Sequence, residues 1–494
     1  LYRFYDVATG QKNLFMDLSV SGGANLYADT INELINPFNY LLLLLGRARI
    51  YQGVNLLLAC YVTAAAVAAN FLLLRLWPES RRGNCILSLA YAFSGFAAYN
   101  FQIIKWMYLP VLFPFFVLAL RRLLRGKGGW PYALLLGYQL ALSLQLGFMV
   151  LLATLFGSGF YFFFRRRTEG KREDRRAMGR LGCYTLAGVG LSWAVLYPNI
   201  LYLLDSARAG ENLSYWGVMK RHGLKDLFER IFQIFHPVLA VLLVWALGRA
   251  ECLRFRDLWR RRKNLGQFWR SLGPMGKFLS VWNLFLWVTV LAQPSNLLWH
   301  LGGYMCFPVR YGYMVLLSEV CLVKWWLVRG EAACKERACF GDKAGQGSIV
   351  QDSTVQDSTV QDDAFRSNEE SGSAGTVKRA VWHGLCGLGA ILAASLALYI
   401  TLREQERLTQ AFSSLAISAT CPAQAGLVCI LLLLLTGAAL LALGAAKAKR
   451  ALLAAVTGCC GLVFFLFILL PQDYEVRREN EAAYERMNAQ YGQG

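Results

Sequence analysis

Carboxylates, glycines and aromatic rings are mixed through residues 1–40. Asp6 and Asp17 are the candidate carboxylates, and Asn25 follows two consecutive glycines and an alanine. A positioned carboxylate can take the proton of a hydroxyl nucleophile, and aromatic faces suit sugar rings. We therefore interpret Asp6 and Asp17 as candidate catalytic residues and Asn25 as a candidate substrate contact. The alternative is a solvated loop with ordinary interfacial aromatics.

Basic side chains next to aromatic rings form a second candidate site. His300 and Arg310 lie in one apolar-flanked loop, and Lys105 directly precedes Trp106 in another. Arginine binds phosphate through its planar fork of donors. We predict that Arg310, His300, Lys105 and Trp106 bind a lipid phosphate or its substrate. The alternative is that the basic side chains are anchors that reach from apolar surface to the membrane interface.

Glu319 lies near the middle of an apolar run, residues 311–328. A charge at that depth is expensive, so an intramembrane acid is a functional hypothesis by default. The alternative is a protonated glutamic acid or a packed polar pair.

Several common catalytic motifs are missing from the sequence. It contains no Walker A motif, no GxGxxG after a strand, no GxSxG elbow and no HExxH. Its thirteen cysteines and four histidines show no metal-ligand spacing. We therefore assign no metal site and no cofactor, while a divalent metal requirement stays open. Any donor substrate is expected to arrive from the membrane phase.

The elements that must position these residues are membrane helices. Of the 494 residues, 56% are hydrophobic and only 17% are charged, which indicates a membrane-embedded chain. We predict an all-α polytopic transmembrane bundle of about twelve spans. A shorter apolar run, 38–45, predicts an interfacial or re-entrant helix. The predicted spans are 51–74, 84–102, 107–121, 130–147, 148–164, 181–203, 231–248, 277–294, 311–328, 380–402, 425–445 and 451–471, with 130–164 as a pair broken near Gln145 and Gly147.

The formal net charge of +20 follows from the same topology. Basic residues concentrate in the loops 165–180 and 249–277, and these and the smaller clusters fall on one side when the spans are counted. That side is cytoplasmic by the positive-inside rule. This distribution excludes nucleic-acid binding as the reason for the charge. Residues 1–50 and the loop 295–310 then lie on the outer side.

The chain divides into five predicted parts. Residues 1–50 form an external first loop, 51–329 a nine-span core, and 330–379 a disordered cytoplasmic linker in which VQDST repeats. Residues 380–471 form a three-span group, and 472–494 an external charged tail. Because the chain starts with Leu1 in a polar stretch and stops in a charged one, we expect a piece of a longer protein.

Three stretches of the sequence resemble the YfhO family of bacterial membrane proteins. Their order and spacing carry the resemblance, which covers residues 1 to about 330. The stretches are Leu14 to Tyr40, with Gly23-Ala24-Asn25 and Pro37-Phe38-Asn39; Leu87 to Phe96, continuing through Trp106 to Arg122; and Trp299-His300 with Phe307-Pro308-Val309-Arg310-Tyr311.

The resemblance implies a GT-C-like fold in the bacterial plasma membrane. Such proteins resemble glycosyltransferases that take a sugar from a polyprenyl-phosphate carrier at the outer face. The implied acceptor is a cell-wall polymer of the teichoic-acid type, and the implied partners are the lipid bilayer, the lipid-linked sugar and that polymer. No nucleic-acid partner is implied.

The chain departs from the family pattern at several positions. The catalytic Asp of GT-C enzymes follows the first membrane helix, and in this register it would precede Leu1. Asp6 and Asp17 lie in the same loop, while Ala24 replaces a family glycine and Tyr108 stands where relatives often carry Asp. Two other functions therefore stay open: a transporter or flippase for a lipid-linked saccharide, and a non-catalytic assembly protein.

Overall fold

The computed structural model describes the N-terminal two thirds of the chain with gaps. The described residues are 1–17, 24–25, 27–81, 83–101, 103–165, 171–204, 230–231, 234, 239, 269–270, 272–292, 298–300 and 309–344. Most of the predicted span 231–248, the spans from 380 onward and the tail 472–494 lie outside the described residues. The VQDST repeats also lie outside them.

Helices account for nearly all the regular structure in the described ranges, which confirms the all-α prediction. The exception is a short antiparallel pair, β1 (Met16–Asp17) with β2 (Ala24–Asn25). The α-helices are α1 Tyr2–Ala8, α2 Tyr27–Leu34, α3 Ile50–Leu76, α4 Asn84–Ala92, α5 Gly95–Asn100, α6 Leu109–Leu124, α7 Trp130–Leu142, α8 Leu144–Arg165, α9 Lys171–Leu204, α10 Gly273–Leu291 and α11 Gly312–Ala344. The 3₁₀ segments are Pro37–Leu44, Arg47–Arg49 and Ile104–Trp106.

Five helices in the described part are long and apolar enough to cross a membrane. They correspond to the predicted spans that begin at 51, 107, 148, 181 and 277. The total of about twelve spans stays a prediction. The five segments are Gly53–Leu76, Ile104–Leu124, Leu144–Arg165, Asp174–Leu201 and Gly273–Leu291.

Two predicted boundaries differ from the structure. The span 84–102 is two helices, because Ser94 adopts an extended backbone between α4 and α5. The break between α7 and α8 falls at Ser143, whose backbone is also extended, two residues before Gln145 and four before the predicted boundary at 147. The Ser143 hydroxyl accepts a 3.4 Å hydrogen bond from the Leu146 amide, as an N-cap residue does.

Helix α11 is longer than the predicted span 311–328. It continues to Ala344, so the start of the segment predicted as a linker is helical. The side chain of Lys324 on this helix is fully buried. Its Nζ donates to the carbonyl oxygen of Ser80 at 2.7 Å and to the Ser80 hydroxyl at 3.1 Å. These bonds attach α11 to the connection between α3 and α4, which the charge pattern places on the cytoplasmic side.

The segment 27–49 packs onto the long helices through hydrogen bonds between its residues and their side chains. The predicted interfacial helix is the 3₁₀ helix Pro37–Leu44, and the Asn36 side chain caps it by accepting from the Phe38 amide at 3.2 Å. The Asn36 amide donates to the Tyr61 hydroxyl of α3 at 2.7 Å. The Tyr138 hydroxyl of α7 donates to the Ile35 carbonyl at 3.1 Å. This segment is therefore attached to two core helices.

Helices α7 and α9 pack closely through glycines. A Cβ atom at Gly137 would lie 2.7 Å from the Gly188 carbonyl oxygen, and one at Gly188 would lie 2.9 Å from the Ala133 carbonyl oxygen. Small residues allow this approach of two backbones in membrane bundles. Gly190 on α9 faces open space.

We expect Gly137→Ala to lower the stability of the protein by about 1–3 kcal/mol, because the added methyl group overpacks the contact with α9. Thermal unfolding in detergent, followed by size-exclusion chromatography, measures the effect. Gly190→Ala is the matched control and should leave the midpoint unchanged or raise it slightly, since alanine favours a helix. Equal midpoints for the two variants would contradict the close α7–α9 contact.

Candidate functional site

Arg310 lies immediately before α11, and its side chain packs between Trp106 and the start of α8. The residue is 8% exposed. Its guanidinium carbon lies 5.0 Å from the centre of the Trp106 ring, and Nη1 donates to Oε1 of Gln145 at the start of α8. An arginine over a tryptophan face is a favourable cation–π arrangement. The structure thus brings together two predicted site residues that are far apart in the sequence.

An aromatic stack includes Tyr311, the residue that follows Arg310. The Trp299 and Tyr311 rings are stacked with centroids 4.6 Å apart, and both side chains are fully buried. His300 is also buried, and its ring centroid lies 6.1 Å from that of Tyr311. His300 therefore follows Trp299 in the sequence, and its ring packs against Tyr311. This places it in the same cluster as Arg310.

Lys105 differs from the other predicted basic residues because its side chain is exposed. It lies in the 3₁₀ turn Ile104–Trp106, directly before the ring that Arg310 covers. An exposed ammonium on that turn can reach a headgroup at the membrane surface. Lys105 is thus placed at the rim of the cluster.

Arg230 belongs to this region and was missed by the sequence reasoning. It is buried, and Nη1 donates to the carbonyl oxygens of Val290 at 2.9 Å and Leu291 at 3.3 Å. These are the terminal carbonyls of α10, which lack partners within the helix and attract a cation. Arg230 also interacts electrostatically with the Tyr311 hydroxyl. The sequence offered no signal to separate it from other arginines near the predicted outer loop.

Asp6, a predicted catalytic residue, is held by an ion pair. Its Oδ1 accepts from Nε of Arg47 at 2.7 Å and its Oδ2 accepts from Nη2 at 3.2 Å. Asp6 is buried, whereas the Arg47 side chain is half exposed. Such a bidentate pair fixes geometry as well as adding energy. Both oxygens of Asp6 therefore serve to attach α1 to the turn at Arg47.

Asp17 and Asn25, the other predicted residues of the first loop, lie on the two short strands. Asp17 is paired with Ala24, and Asn25 is paired with Met16. The antiparallel register therefore places the backbones of Asp17 and Asn25 at adjacent positions of one ladder.

Glu33 is an acid of the first segment that the sequence reasoning did not select. Its Oε2 accepts from Nδ2 of Asn39 at 2.6 Å, and the same amide donates to the Glu33 carbonyl at 3.0 Å. The Glu33 carboxylate interacts electrostatically with the hydroxyls of Tyr61 and Tyr108. Glu33 could not be predicted as a site residue, because a single Glu in a polar helix looks like any solvated residue in the sequence.

Glu319 forms a packed pair within the helices, which is the alternative considered for it above. Its Oε1 accepts from Nε1 of Trp287 at 2.8 Å, and the neighbouring Ser318 hydroxyl accepts from the Asn283 amide at 2.8 Å. These bonds join α10 to α11. Glu319 lies about 10 Å along the helix from Gly312, since each residue advances a helix by about 1.5 Å. It is therefore separate from the Arg310 cluster.

Among the described residues, no group of three or more His, Cys, Asp or Glu side chains is arranged to hold a metal ion. In the same ranges, the cysteines at 60, 85, 183 and 321 are free thiols. The Arg310 cluster offers a guanidinium, an imidazole and the Tyr311 phenol, with the exposed Lys105 ammonium nearby in the sequence.

Comparison with known proteins identifies one family. The family described as bacterial membrane protein YfhO matches residues 1–332 of the chain. That range includes the first segment, the helices α1–α10 and the Arg310 cluster. No curated protein matches the chain, and no solved structure does.

The ion pair between Asp6 and Arg47 can be tested by a double-mutant cycle. We expect Asp6→Asn and Arg47→Gln to be coupled by about 1–2 kcal/mol, because either change removes the same charge-assisted pair. Unfolding midpoints in detergent give the coupling energy, and proteolysis of the first segment reports its release. Arg49→Gln, an exposed arginine in the same turn, is the control and should change neither readout. Strictly additive effects of the two changes would contradict a structural pair.

Proposed function

The chain belongs to the YfhO family of bacterial membrane proteins, and from that premise we propose that it is a GT-C-type glycosyltransferase. It is a multi-pass protein of the bacterial plasma membrane. The proposed donor is a sugar on a polyprenyl-phosphate carrier, and the proposed acceptor is a hydroxyl of a cell-wall polymer of the teichoic-acid type. The transfer takes place at the outer face, and it uses no nucleotide cofactor.

The buried guanidinium of Arg310 is the observation that supports this proposal most directly. It lies over Trp106, and the next residue, Tyr311, contacts His300, in the region that the charge pattern predicts to be on the outer side. A guanidinium held in a dry site binds phosphate strongly and stabilises a phosphate that gains charge as it leaves. Lys105, at the exposed rim, adds a second positive charge near the headgroup. A membrane-borne phosphate ester is the substrate that fits these groups.

The proposed reaction is a single inverting displacement. A carboxylate of the first segment, Asp6 or Asp17, takes the proton of the acceptor hydroxyl. The hydroxyl oxygen forms a bond to the anomeric carbon, and the bond from that carbon to the phosphate oxygen breaks. The electron pair leaves with the polyprenyl phosphate, whose charge Arg310 and His300 balance. Of the two acids, Asp6 accepts hydrogen bonds from Arg47 through both carboxylate oxygens. Asp17 lies on the β1–β2 pair together with Asn25.

A flippase or transporter for a lipid-linked saccharide is the second candidate. It is favoured by two interruptions of the predicted spans, at Ser94 and at Ser143, because discontinuous helices line substrate sites in transporters. The Arg310 cluster would then bind the carrier phosphate during translocation, without transfer. A non-catalytic assembly protein is the third candidate, and it requires no function of Arg310.

We expect Arg310→Ala to lower sugar transfer by about 100-fold or more, the size of effect seen when a group that stabilises developing charge is removed. Arg310→Lys should recover part of the activity, because it keeps the charge and loses the planar fork. His300→Ala should lower transfer less. The measurement is transfer of a labelled sugar from polyprenyl phosphate to teichoic acid in membranes that contain the complete protein.

Arg75→Ala is the matched control, since this exposed arginine is in the last turn of α3 on the predicted cytoplasmic side. It should leave transfer unchanged. Full transfer by Arg310→Ala and His300→Ala would favour an assembly protein. Translocation of the lipid-linked sugar without transfer would favour a flippase. Normal cell-wall glycosylation after gene deletion would exclude the proposed enzyme.

A further inference from the structure

Gln145 is a direct hydrogen-bond partner of Arg310, and the reaction above gives it no role. Its Oε1 accepts from Nη1 of Arg310, although the two residues are 165 positions apart in the sequence. The guanidinium also lies over the Trp106 ring, with its carbon 5.0 Å from the ring centre. The ring restrains the guanidinium from one face, and the bond to Gln145 restrains its rotation over that face. The two contacts together fix its orientation.

The break between α7 and α8 fixes the position of Gln145. The Ser143 backbone is extended, and its hydroxyl accepts from the Leu146 amide at 3.4 Å, so α8 is capped directly beside Gln145. Leu146 itself is buried. A Cβ atom at Gly147 would lie 2.7 Å from the Cα of Leu140, because the first turn of α8 approaches α7 closely. Gln145 therefore extends from a backbone that is held on both sides.

An amide oxygen can orient a guanidinium without adding a negative charge. Arginine also pairs with carboxylates through charge-assisted hydrogen bonds, as Arg47 does with Asp6. The glutamine side chain is neutral, and its carbonyl oxygen accepts hydrogen bonds. The contact with Gln145 therefore holds the Arg310 guanidinium without reducing its positive charge.

The start of α8 is a place where a carboxylate would stabilise the protein. The N-terminal end of a helix carries a partial positive charge, and acidic side chains in the first turn are favourable there. The first turn of α8 contains no acidic residue. Since Arg310 and the helix end both attract negative charge, glutamate at position 145 would serve stability at least as well as glutamine. Anion binding is the property that a neutral residue at this position improves.

We propose that Gln145 is the positioning residue of the phosphate site. It orients the Arg310 guanidinium and, because it is neutral, does not compete with the phosphate of the lipid-linked donor for that charge. Gln145 acts through Arg310 and does not contact the reacting atoms. The assignment of the phosphate to a polyprenyl-phosphate donor rests on the proposed function.

Gln145→Glu is the sharpest test, because it should separate stability from phosphate binding. The carboxylate keeps an acceptor for Arg310 and suits the helix end, so the unfolding midpoint in detergent should stay the same or rise. The same carboxylate competes with the phosphate for the guanidinium. We therefore expect the Kd for polyprenyl phosphate and the KM for the lipid-linked sugar to rise about tenfold or more.

Gln145→Ala removes the acceptor without adding a charge. Because the guanidinium then loses its orientation, we expect kcat to fall about tenfold, with a smaller change in the Kd for polyprenyl phosphate. In the Arg310→Ala background, Gln145→Ala should cause no further loss of transfer, since Gln145 acts through Arg310. A full additional loss in that background would overturn the proposal.

Gln11→Glu is the matched control, because it makes the same chemical change at an exposed position of the first segment. It should leave the midpoint, the Kd and the KM unchanged. If Gln145→Glu binds polyprenyl phosphate as the wild type does, Gln145 only packs the start of α8 and the proposal is wrong. If Gln145→Glu weakens binding and also lowers the midpoint, the Arg310→Ala background decides between the two roles.

Failure of this proposal and failure of the proposed function give different results. Binding of polyprenyl phosphate is measured on the complete purified protein in detergent, separately from transfer. If the wild type binds it and transfers no sugar, the transferase is wrong, and the Kd of Gln145→Glu still tests the role of Gln145. Transfer with wild-type Kd and KM in Gln145→Glu overturns that role and leaves the transferase intact. A wild type that does not bind polyprenyl phosphate overturns the phosphate site and the role of Gln145 together.

Discussion

Burying a charge among apolar helices costs several kcal/mol unless partners surround it, and this constraint determines how distant parts of the chain are joined. Lys324 on α11 satisfies its charge on Ser80, between α3 and α4. Arg230 satisfies its charge on the terminal carbonyls of α10. Asp6 is paired with Arg47 across the first segment. Each buried charge therefore holds together two elements that are remote in sequence.

Arg310, directly before α11, and Lys324, further along the same helix, have different kinds of partner. At the connection between α3 and α4, the Lys324 donors meet protein oxygens directly. The Arg310 guanidinium instead contacts the Trp106 ring and donates to the Gln145 amide oxygen. The buried Tyr108 and Tyr313 hydroxyls have no hydrogen-bond partner among the described residues. Lys324 therefore joins two parts of the fold, whereas Arg310 is the group proposed to bind a phosphate.

Long apolar runs predicted the helices well, because a membrane helix satisfies its own backbone and needs no specific neighbour. The predicted spans 51–74 and 148–164 lie within α3 and α8. The prediction of one span over 84–102 was wrong, because Ser94 interrupts it. An apolar run does not show whether its helix is interrupted. Nor does an apolar run show how far a helix continues into polar sequence. Helix α11 ends at Ala344, beyond the predicted end at residue 328.

The candidate site was predictable by residue type and only partly by position. An arginine at the end of an apolar run and a tryptophan in an outer turn stand out in the sequence, so Arg310 and Trp106 were both selected. Their contact depends on segments that are far apart in the chain. No local pattern separates Glu33 from a solvated acid.

The sequence by itself determined the membrane environment and the family, because hydrophobic length and the order of motifs are properties of the chain as written. Only the tertiary structure decided which polar side chains meet. Hydrogen bonds and ion pairs act over a few ångströms, and which groups come that close depends on how the helices pack. Asp6 on Arg47 and Arg310 on Trp106 are the result of that packing.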